Sequence, residues 1–368
     1  MRSLSLFLAG VLSLSILGRA RADESRRLFD FTPVSPGNPV VATIDEAIQI
    51  PLSELCVYRE TEKLQAITDP ASLAQKRALL DDLINEYLYV DEAYRTGVVQ
   101  SSRFLKQMEA TRTMILTDLM STRAMTEAKP AVANEAAATL AGRLFNEATI
   151  DISNEAYAIL QRAAQAVDKT SAASKRGPVV DSPEDAAAKL YAIINSTPEA
   201  VLVRYADKSL SIHEILSIYA GLPAPRPPVA THEGFITMIK PLIAPELMAV
   251  EAVRRGIASE PEFQHKLIQN QNALLRFHMQ GLIDREANKR MSAPTVETEL
   301  QAWYDQHKVE YAVTNQQGRK QIPSYAEMRS RVEGDYSVAL RDRLLAEKAQ
   351  ALRKPRSVRI DEAVLRQL

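Results

Sequence analysis

The chain has 368 residues, of which 46% are hydrophobic and 25% are charged, and its formal net charge at pH 7 is -1. Binding to nucleic acid or to an anionic membrane surface depends on a surplus of basic residues, so this balance gives no case for either partner. Glycine is scarce, at 12 residues, which together with many helix-favouring residues predicts a mainly α-helical protein. The single cysteine can form no internal disulfide.

Residues 1–22 have the pattern of a secretory signal peptide. A basic residue precedes an apolar stretch, Leu4–Leu17, that is too short to span a bilayer comfortably. The A-x-A sequence that ends at Ala22 predicts cleavage there, so the chain is expected to be exported, with residues 23–39 as a proline-containing leader. No later segment is long and apolar enough to predict stable insertion into a membrane.

Residues 40–128 are the first predicted folded unit. The segment VVATIDEAIQI alternates apolar and polar residues and is rich in β-branched side chains, which predicts a short strand pair. From Ser72 to about Ala128, apolar residues recur at intervals of three and four, which predicts helices. Gly97 is expected to end one of these helices.

Residues 129–200 are predicted to be a helical connector. An alanine-rich stretch follows the first unit, and Pro183–Ile194 is a second helical segment. Between them lies DKTSAASKRGPVVDS, which is polar and contains a Gly-Pro pair. This composition predicts a linker or mobile loop over residues 168–182.

Residues 201–293 repeat the first unit. The segment VLVRYADKSLSIHEI again predicts a strand pair that leads into a helix. The segment that begins at Leu242 aligns without a gap to the one that begins at Leu83. About ten of roughly 38 positions are identical, where two or three would be expected of unrelated segments. The matches include Leu83/Leu242, Ile84/Ile243, Glu92/Glu251, Ala93/Ala252, Arg95/Arg254, Gly97/Gly256 and Phe104/Phe263.

Residues 294–368 are predicted to contain two helices and a closing strand. The first helix carries ETELQAWYDQHKVEY, and the second is long and follows a proline. Val358 and Ile360 alternate with charged residues, which predicts one terminal strand.

The sequence VVATIDEAIQIPLSEL, followed by LLDDLINEYLYVDEAYRTGV, resembles the N-terminal chaperone domain of the SurA-like, PpiC-type periplasmic foldases. The last two predicted helices and strand resemble the segments of that family that flank the isomerase domain and pack back on the chaperone domain. The residues that fill the family's helix pattern are Leu83, Ile84, Leu88, Ala93 and Gly97 in one copy and Leu242, Ile243, Leu247, Ala252 and Gly256 in the other.

The resemblance implies a periplasmic protein with a mainly α fold. We expect two tandem helical units like the SurA N-terminal domain, each with a short strand pair, and a C-terminal helix and strand that dock back. The strand that contains Ile360 is expected to pair with the strands around Val41 or around Val203. The repeat gives no basis for choosing between them.

The chain differs from the family at the position in the sequence where the parvulin prolyl-isomerase domain is usually found. Only residues 311–322 separate the two helical segments there, whereas a parvulin domain needs roughly a hundred residues. Residues 126–200 leave more room, but they contain no histidine and no glycine-rich turn of the parvulin type. We therefore expect the isomerase domain to be absent.

No other catalytic or cofactor motif is present. The five histidines form neither an H-E-x-x-H motif nor a metal-binding spacing with the single cysteine. The sequence contains no phosphate-binding loop, no G-x-G-x-x-G and no G-x-S-x-G. We predict no cofactor, no metal and no catalytic residue.

Unbranched thioether side chains can adapt to many partners, and tyrosines can line the same kind of surface. This suggests a client-binding surface on two neighbouring helices. The alternative is that the methionines fill the core between helices. The candidate residues are Tyr87, Tyr94, Met108, Met114, Met120 and Met125.

The predicted function is an ATP-independent periplasmic chaperone that binds unfolded or nascent exported proteins. The duplication would double the client-binding surface or let one copy associate with the other in a clamp. Two alternatives remain: a parvulin-type peptidyl-prolyl isomerase, and an envelope scaffold with one dedicated partner.

Overall fold

The structure of this protein is a computed structural model. Within the residues it describes, the chain is mainly α-helical, with twelve α-helices and eight short strands, which confirms the predicted fold class. The predicted signal peptide and the leader up to residue 36 lie outside the described residues. The described residues are 37–61, 72–173, 183–223, 225–314 and 320–368.

The first repeat begins with a strand pair and continues with three helices. Gly97 joins the two longest helices, and its φ of 75° is a left-handed conformation that glycine adopts without strain. A short 3-10 turn, Val98–Gln100, follows it. The elements are β1 (Val40–Ile44), β2 (Ile48–Pro51), α1 (Leu52–Thr61), α2 (Leu73–Arg95) and α3 (Ser102–Glu127).

The connector contains α4 (Ala133–Glu147), β3 (Ile150–Ile152), α5 (Asn154–Ala173) and α6 (Pro183–Ser196). The loop predicted over residues 168–182 is wrong in its first part, because residues 168–173 continue α5, and the rest lies outside the described residues. The end of α5 is held by Asp168, which accepts hydrogen bonds from Tyr219 at 2.7 Å and Arg226 at 3.1 Å. β3 has no counterpart among the predicted elements.

The second repeat has the same order of elements as the first. Its longest helix pair is joined through Gly256, which has a φ of 81° and aligns with Gly97. The helix before this glycine begins and ends at the positions that the gapless alignment assigns to the ends of α2. The elements are β4 (Val201–Tyr205), β5 (Lys208–Ser211), α7 (Ile212–Gly221), α8 (His232–Arg254) and α9 (Pro261–Met291).

The C-terminal part consists of two helices separated by a small hairpin, and then a strand and a short helix. The hairpin stands where the family resemblance places the parvulin domain. The elements are α10 (Val296–His307), β6 (Val313–Thr314), β7 (Lys320–Gln321), α11 (Tyr325–Arg353), β8 (Val358–Ile360) and α12 (Glu362–Leu365).

The chain divides into two compact units, each with its own sheet and core. Unit 1 is built from the residues up to Glu109 together with those from His265 onward, and unit 2 is the continuous segment Ala110–Gln264. In unit 1, Leu80 and Ile84 of α2 are fully buried with Leu275 of α9. In unit 2, Phe235 of α8 is fully buried in the core.

The sheet of unit 1 has three antiparallel strands in the order β2-β1-β8. Ile360 lies opposite Ala42, and Val358 lies opposite Ile44. The backbone amide of Asp361 extends the pairing by donating to the carbonyl of Val41 at 3.0 Å. The C-terminal strand therefore docks on the first strand pair, one of the two alternatives that the sequence left open.

The sheet of unit 2 is completed at the equivalent edge, in the order β3-β4-β5. Ile152 lies opposite Val203, and the amide of Ser153 donates to the carbonyl of Leu202 at 2.9 Å. β3 follows the helices of the first repeat but pairs with the second, and β8 follows the second repeat but pairs with the first. Each strand pair thus receives its third strand from the segment that follows the other repeat.

Arg356 ties the C-terminal segment to unit 1. Its guanidinium donates to Asp45 in the turn between β1 and β2, at 2.6 Å, and also to Asp91 of α2. Burial alone would raise the pKa of Asp45, but hydrogen bonds from Arg356 and from the backbone amide of Ser357 hold that pKa below its ordinary value. The three side chains therefore hold the strand, the hairpin turn and the helix together.

The second repeat has no carboxylate at either of the positions equivalent to Asp45 and Asp91. The alignment of β1 with β4 places Ala206 at the position of Asp45, and both residues have a left-handed φ near 50°. The alignment of α2 with α8 places Val250 at the position of Asp91. Arg356 can form its paired interaction only with the first strand pair, which gives a physical reason for the observed docking.

Replacement of Arg356 by alanine should destabilise the protein by on the order of 3 kcal/mol, because it leaves the buried carboxylate of Asp91 without its cation. Arg359→Ala is the matched control, since Arg359 pairs with Glu46 on the surface and its loss should cost less than about 1 kcal/mol. Urea unfolding of both variants measures the difference. Equal losses would show that the Arg356 cluster does not fix the docking.

A second buried carboxylate lies in unit 2, at the end of α8. Glu251 accepts hydrogen bonds from Arg254 at 2.6 Å and from Arg255 at 2.8 Å. These two guanidinium groups, Arg254 first, lower the pKa of Glu251 from its ordinary 4.5 to about 2 against the opposing effect of burial. The carboxylate is consequently charged throughout the physiological range.

Because the pKa of Glu251 is lower in the folded than in the unfolded state, its ion pairs stabilise the fold above pH 4.5, and this stabilisation is lost as the pH falls towards 2. We expect Glu251→Gln to unfold more readily than the parent at pH 6 and to show a shallower loss of stability between pH 4.5 and 2. Thermal unfolding across this range tests it. Parallel pH profiles of parent and variant would contradict it.

Candidate client-binding surface

The six candidate residues do not form one surface. Tyr87 is buried in the core of unit 1, and burial raises the pKa of its hydroxyl well above the ordinary range. Met120 is fully buried in unit 2. Both lie on the apolar stripe of their helices, so the sequence pattern that singled them out marks the core rather than an exposed surface.

Tyr94 and Met108 are partly buried against the core of unit 1. The hydroxyl of Tyr94 accepts a hydrogen bond from the amide of Gln271, a buried side chain of α9, and burial raises the pKa of the tyrosine above its usual range. This contact joins α2 to α9. These two residues therefore contribute mainly to packing within the unit.

Met114 and Met125 are the two candidates that stand on the surface. They are 57% and 38% exposed, respectively. They are eleven positions apart on α3, about three helical turns, so they project from the same face of the helix. Thr117 lies one turn from Met114 on the same side of the helix, and its hydroxyl donates to the carbonyl of Pro245 in α8 at 2.8 Å, so Met114 borders the contact between α3 and α8. Of the predicted surface, these two methionines are the part available to a client.

Sequence reasoning missed a second exposed apolar group, in unit 1. Phe104 of α3 and His278 of α9 meet with ring centroids 5.9 Å apart. Three apolar side chains of these two helices, each within four positions of Phe104 or His278 in sequence, are exposed: Leu105 by 42%, Phe277 by 60% and Leu282 by 45%. We call these three residues the Phe277 patch. Single exposed apolar residues are common, and Phe277, the largest of the three, is also the most exposed.

A difference between the two repeats is the signal that could have found this patch. The gapless alignment places Asp118 at the position of Phe277 and Gln264 at the position of Leu105. Both are polar, and Gln264 donates to the carbonyl of Ala258 at 2.8 Å. Leu105 belongs to the first copy and Phe277 to the second, so each copy carries an exposed apolar residue at a position where the other copy is polar.

His278 and two arginines are among the polar side chains near the contact between Phe104 and His278. His278 lies 2.9 Å from the amide oxygen of Gln107. Burial, followed by the positive charges of Arg103 and Arg285, lowers the pKa of His278 below its ordinary value. Two cationic side chains therefore lie close enough to His278 to disfavour its protonation.

Within the described ranges, no group of three or more histidine, cysteine, aspartate or glutamate side chains is placed to hold a metal ion. In the same part of the chain, no helix has both the length and the apolar character needed to cross a membrane.

Comparison with known proteins finds no matching family model, no matching curated protein and no matching solved structure. The resemblance to SurA-like foldases therefore rests on the residues of this chain alone.

The methionines of α3 allow a direct test of which side chains belong to the core. Met120→Ala should lower the free energy of unfolding by about 2–5 kcal/mol, because it removes a fully buried side chain and leaves a cavity. Met114→Ala on the same helix should change it by less than about 0.5 kcal/mol. Chemical denaturation of both variants measures this. A large loss in Met114→Ala would show that its side chain is not on the surface.

Proposed function

We propose that this protein is an ATP-independent chaperone that binds unfolded or extended segments of exported proteins in the periplasm. The observation that carries the proposal is the exposed apolar surface on well-packed helices, namely the Phe277 patch in unit 1 and Met114 with Met125 in unit 2. Unfolded chains expose apolar side chains, and such surfaces can cover them without a chemical step. The signal-like residues 1–22 support export.

The size of these surfaces favours weak, reversible binding. Full burial of one large apolar side chain contributes about 1.5–3 kcal/mol, and the three residues of the Phe277 patch are each about half exposed, so covering them could supply roughly 2–4 kcal/mol. Association itself costs an estimated 4–15 kcal/mol, which is at least as large as that gain. One patch would therefore hold a client only briefly. A long unfolded client that contacts both units would be held more firmly through avidity.

Weak binding of this kind suits a chaperone that works without nucleotide. A client that dissociates readily can fold or pass to the next partner without energy input, and methionine side chains can adapt to clients of different shape. Such a mechanism makes and breaks no covalent bond in the client.

The purified chain from Asp23 onward should slow the aggregation of an unfolded exported protein at about a stoichiometric ratio, as measured by light scattering. Phe277→Asp combined with Leu105→Gln should weaken this protection, because both changes remove exposed apolar area and introduce residue types that the other repeat carries there. Added ATP should have no effect. Scattering that is unchanged by the parent protein would refute the chaperone proposal.

Two further measurements separate the alternative functions. In a protease-coupled assay on a proline peptide, the chaperone should leave the rate at its uncatalysed value, and acceleration would favour a prolyl isomerase. In a pull-down from periplasmic extract, many unfolded clients are expected. A single stoichiometric partner would favour an envelope scaffold.

A further inference from the structure

The strand β8 and the helix α12 dock on the first repeat as one segment, residues 356–368, which we call the arm. Ile360 of β8 lies opposite Ala42 of β1. Leu365 of α12 is fully buried in the core of unit 1. The arm therefore fills both the open edge of the first strand pair and part of the core beneath it.

The first repeat recognises three features of the arm at fixed spacing. Asp45 and Asp91 accept hydrogen bonds from Arg356. Ile360 then pairs with β1, and Leu365 enters the core. A segment that replaces the arm has to supply an arginine, an extended strand and an apolar helical turn in this order. A second copy of this chain carries all three.

The connection between α11 and the arm is short and contains a proline. Lys354 and Pro355 are the two residues between the end of α11 and the arm. Lys354 has helical angles, with φ of -52° and ψ of -44°, and the amide of Arg356 donates to the carbonyl of Arg353 at 2.9 Å. A residue that precedes proline prefers the extended conformation. Extension of Lys354 opens this turn and carries the arm away from the end of its own α11.

Exchange between two copies conserves the contacts of the arm. In a reciprocal dimer, each arm meets the same residues of β1 and α2 as in the monomer, so the two states differ in the hinge and in the entropy of association. Arg356 and Asp45 are 311 positions apart in sequence. Because closure of so long a loop is slow, the arm of a second copy can reach the open edge first at high protein concentration.

The equivalent strand of the other sheet lacks these features. β3 lies between α4 and α5, and α5 is held within unit 2 by Tyr157, which donates to the carbonyl of Val229 at 2.9 Å. Ala148 stands two residues before β3, as Arg356 stands two residues before β8, and no proline separates α4 from β3. Exchange is therefore expected in unit 1 and not in unit 2.

We infer that the partner of this surface is a second copy of the chain, and that two copies form a dimer by exchanging their arms. The arm of each copy pairs with β1 of the other, and its Arg356 meets Asp45 and Asp91 of that copy. The interface is reciprocal, so the dimer closes with twofold symmetry and leaves no edge of β1 open. The exchange is independent of the proposed chaperone function.

A pair of cysteines across the sheet reports which copy supplies the strand. Thr43 of β1 and Arg359 of β8 lie opposite each other. The chain from Asp23 onward is prepared with Cys56→Ser and either Thr43→Cys or Arg359→Cys, and one of the two proteins carries a tag. The proteins are mixed in denaturant and refolded at ~0.5 mM, close to the effective concentration of a linked segment. Oxidation should join the two different chains, which is seen as a mixed disulfide on a denaturing gel.

The matched control uses Asp151 and Arg204, which lie opposite each other across β3 and β4. Asp151→Cys and Arg204→Cys, mixed and refolded in the same way, should give a mixed disulfide only at background level. Refolding at about 5 µM should lower the yield of the first pair at least about tenfold, because association depends on concentration. Equal yields from the two pairs, or a dimer in light scattering without the mixed disulfide of the first pair, would overturn the inference.

The hinge should set how much dimer forms. Pro355→Ala removes the restriction on Lys354, so the dimer fraction in size-exclusion chromatography with light scattering should fall at least about threefold. Pro323→Ala, before the start of α11, is the matched control and should leave that fraction unchanged. An unchanged fraction in Pro355→Ala, or an equal fall in Pro323→Ala, would overturn the role of the hinge. Circular dichroism checks that each variant is folded.

Discussion

The completion of each strand pair by a strand from elsewhere in the chain is the constraint on which the rest of this structure depends. An isolated two-stranded hairpin is marginally stable in water, and its open edge invites pairing with other chains. In unit 1, β8 closes the edge of β1, and in unit 2, β3 closes the edge of β4. Because β3 follows the first repeat and β8 the second, neither repeat by itself contains the third strand of its own sheet.

This arrangement has a consequence for how the chain becomes folded. Unit 2 is continuous in sequence, whereas unit 1 joins the N-terminal strand pair to a strand that ends at Ile360. Contacts between such distant segments close a long loop and form slowly. The edge of β1 stays open until the C-terminal segment arrives, and the Arg356 cluster with Asp45 and Asp91 then holds that segment in place.

The two repeats share the same order of helices and strands but differ in their exposed side chains. Gly97 and Gly256 keep the same left-handed turn, and Met120 and Met279 occupy equivalent buried positions. The exposed positions are freer to differ because a change there costs little stability. Phe277 against Asp118 is the clearest case, since an exposed apolar side chain in one repeat stands where the other repeat has a carboxylate.

Much of the fold could be predicted from local pattern, and much of the candidate site could not. Apolar spacing of three and four located the helices, the positive-φ glycines located their ends, and alternation located the strand pairs and β8. The same spacing selected Tyr87 and Met120 as binding residues, although a regular apolar stripe is what a helix turns towards a core. The residues of the Phe277 patch were not predicted because they lie outside the regular apolar stripe of their helices.

The sequence by itself determined most of the helices, the two strand pairs and the repeat, since these depend on neighbours within a few turns. The tertiary structure alone decided which strand pair β8 joins, that β3 forms at all, and which methionines are exposed. These outcomes depend on contacts between residues far apart in the chain. Arg356 meets Asp45 and Asp91 only when the chain is folded. The second repeat has Ala206 and Val250 at the equivalent positions, so these ion pairs favour the edge of β1 over the edge of β4.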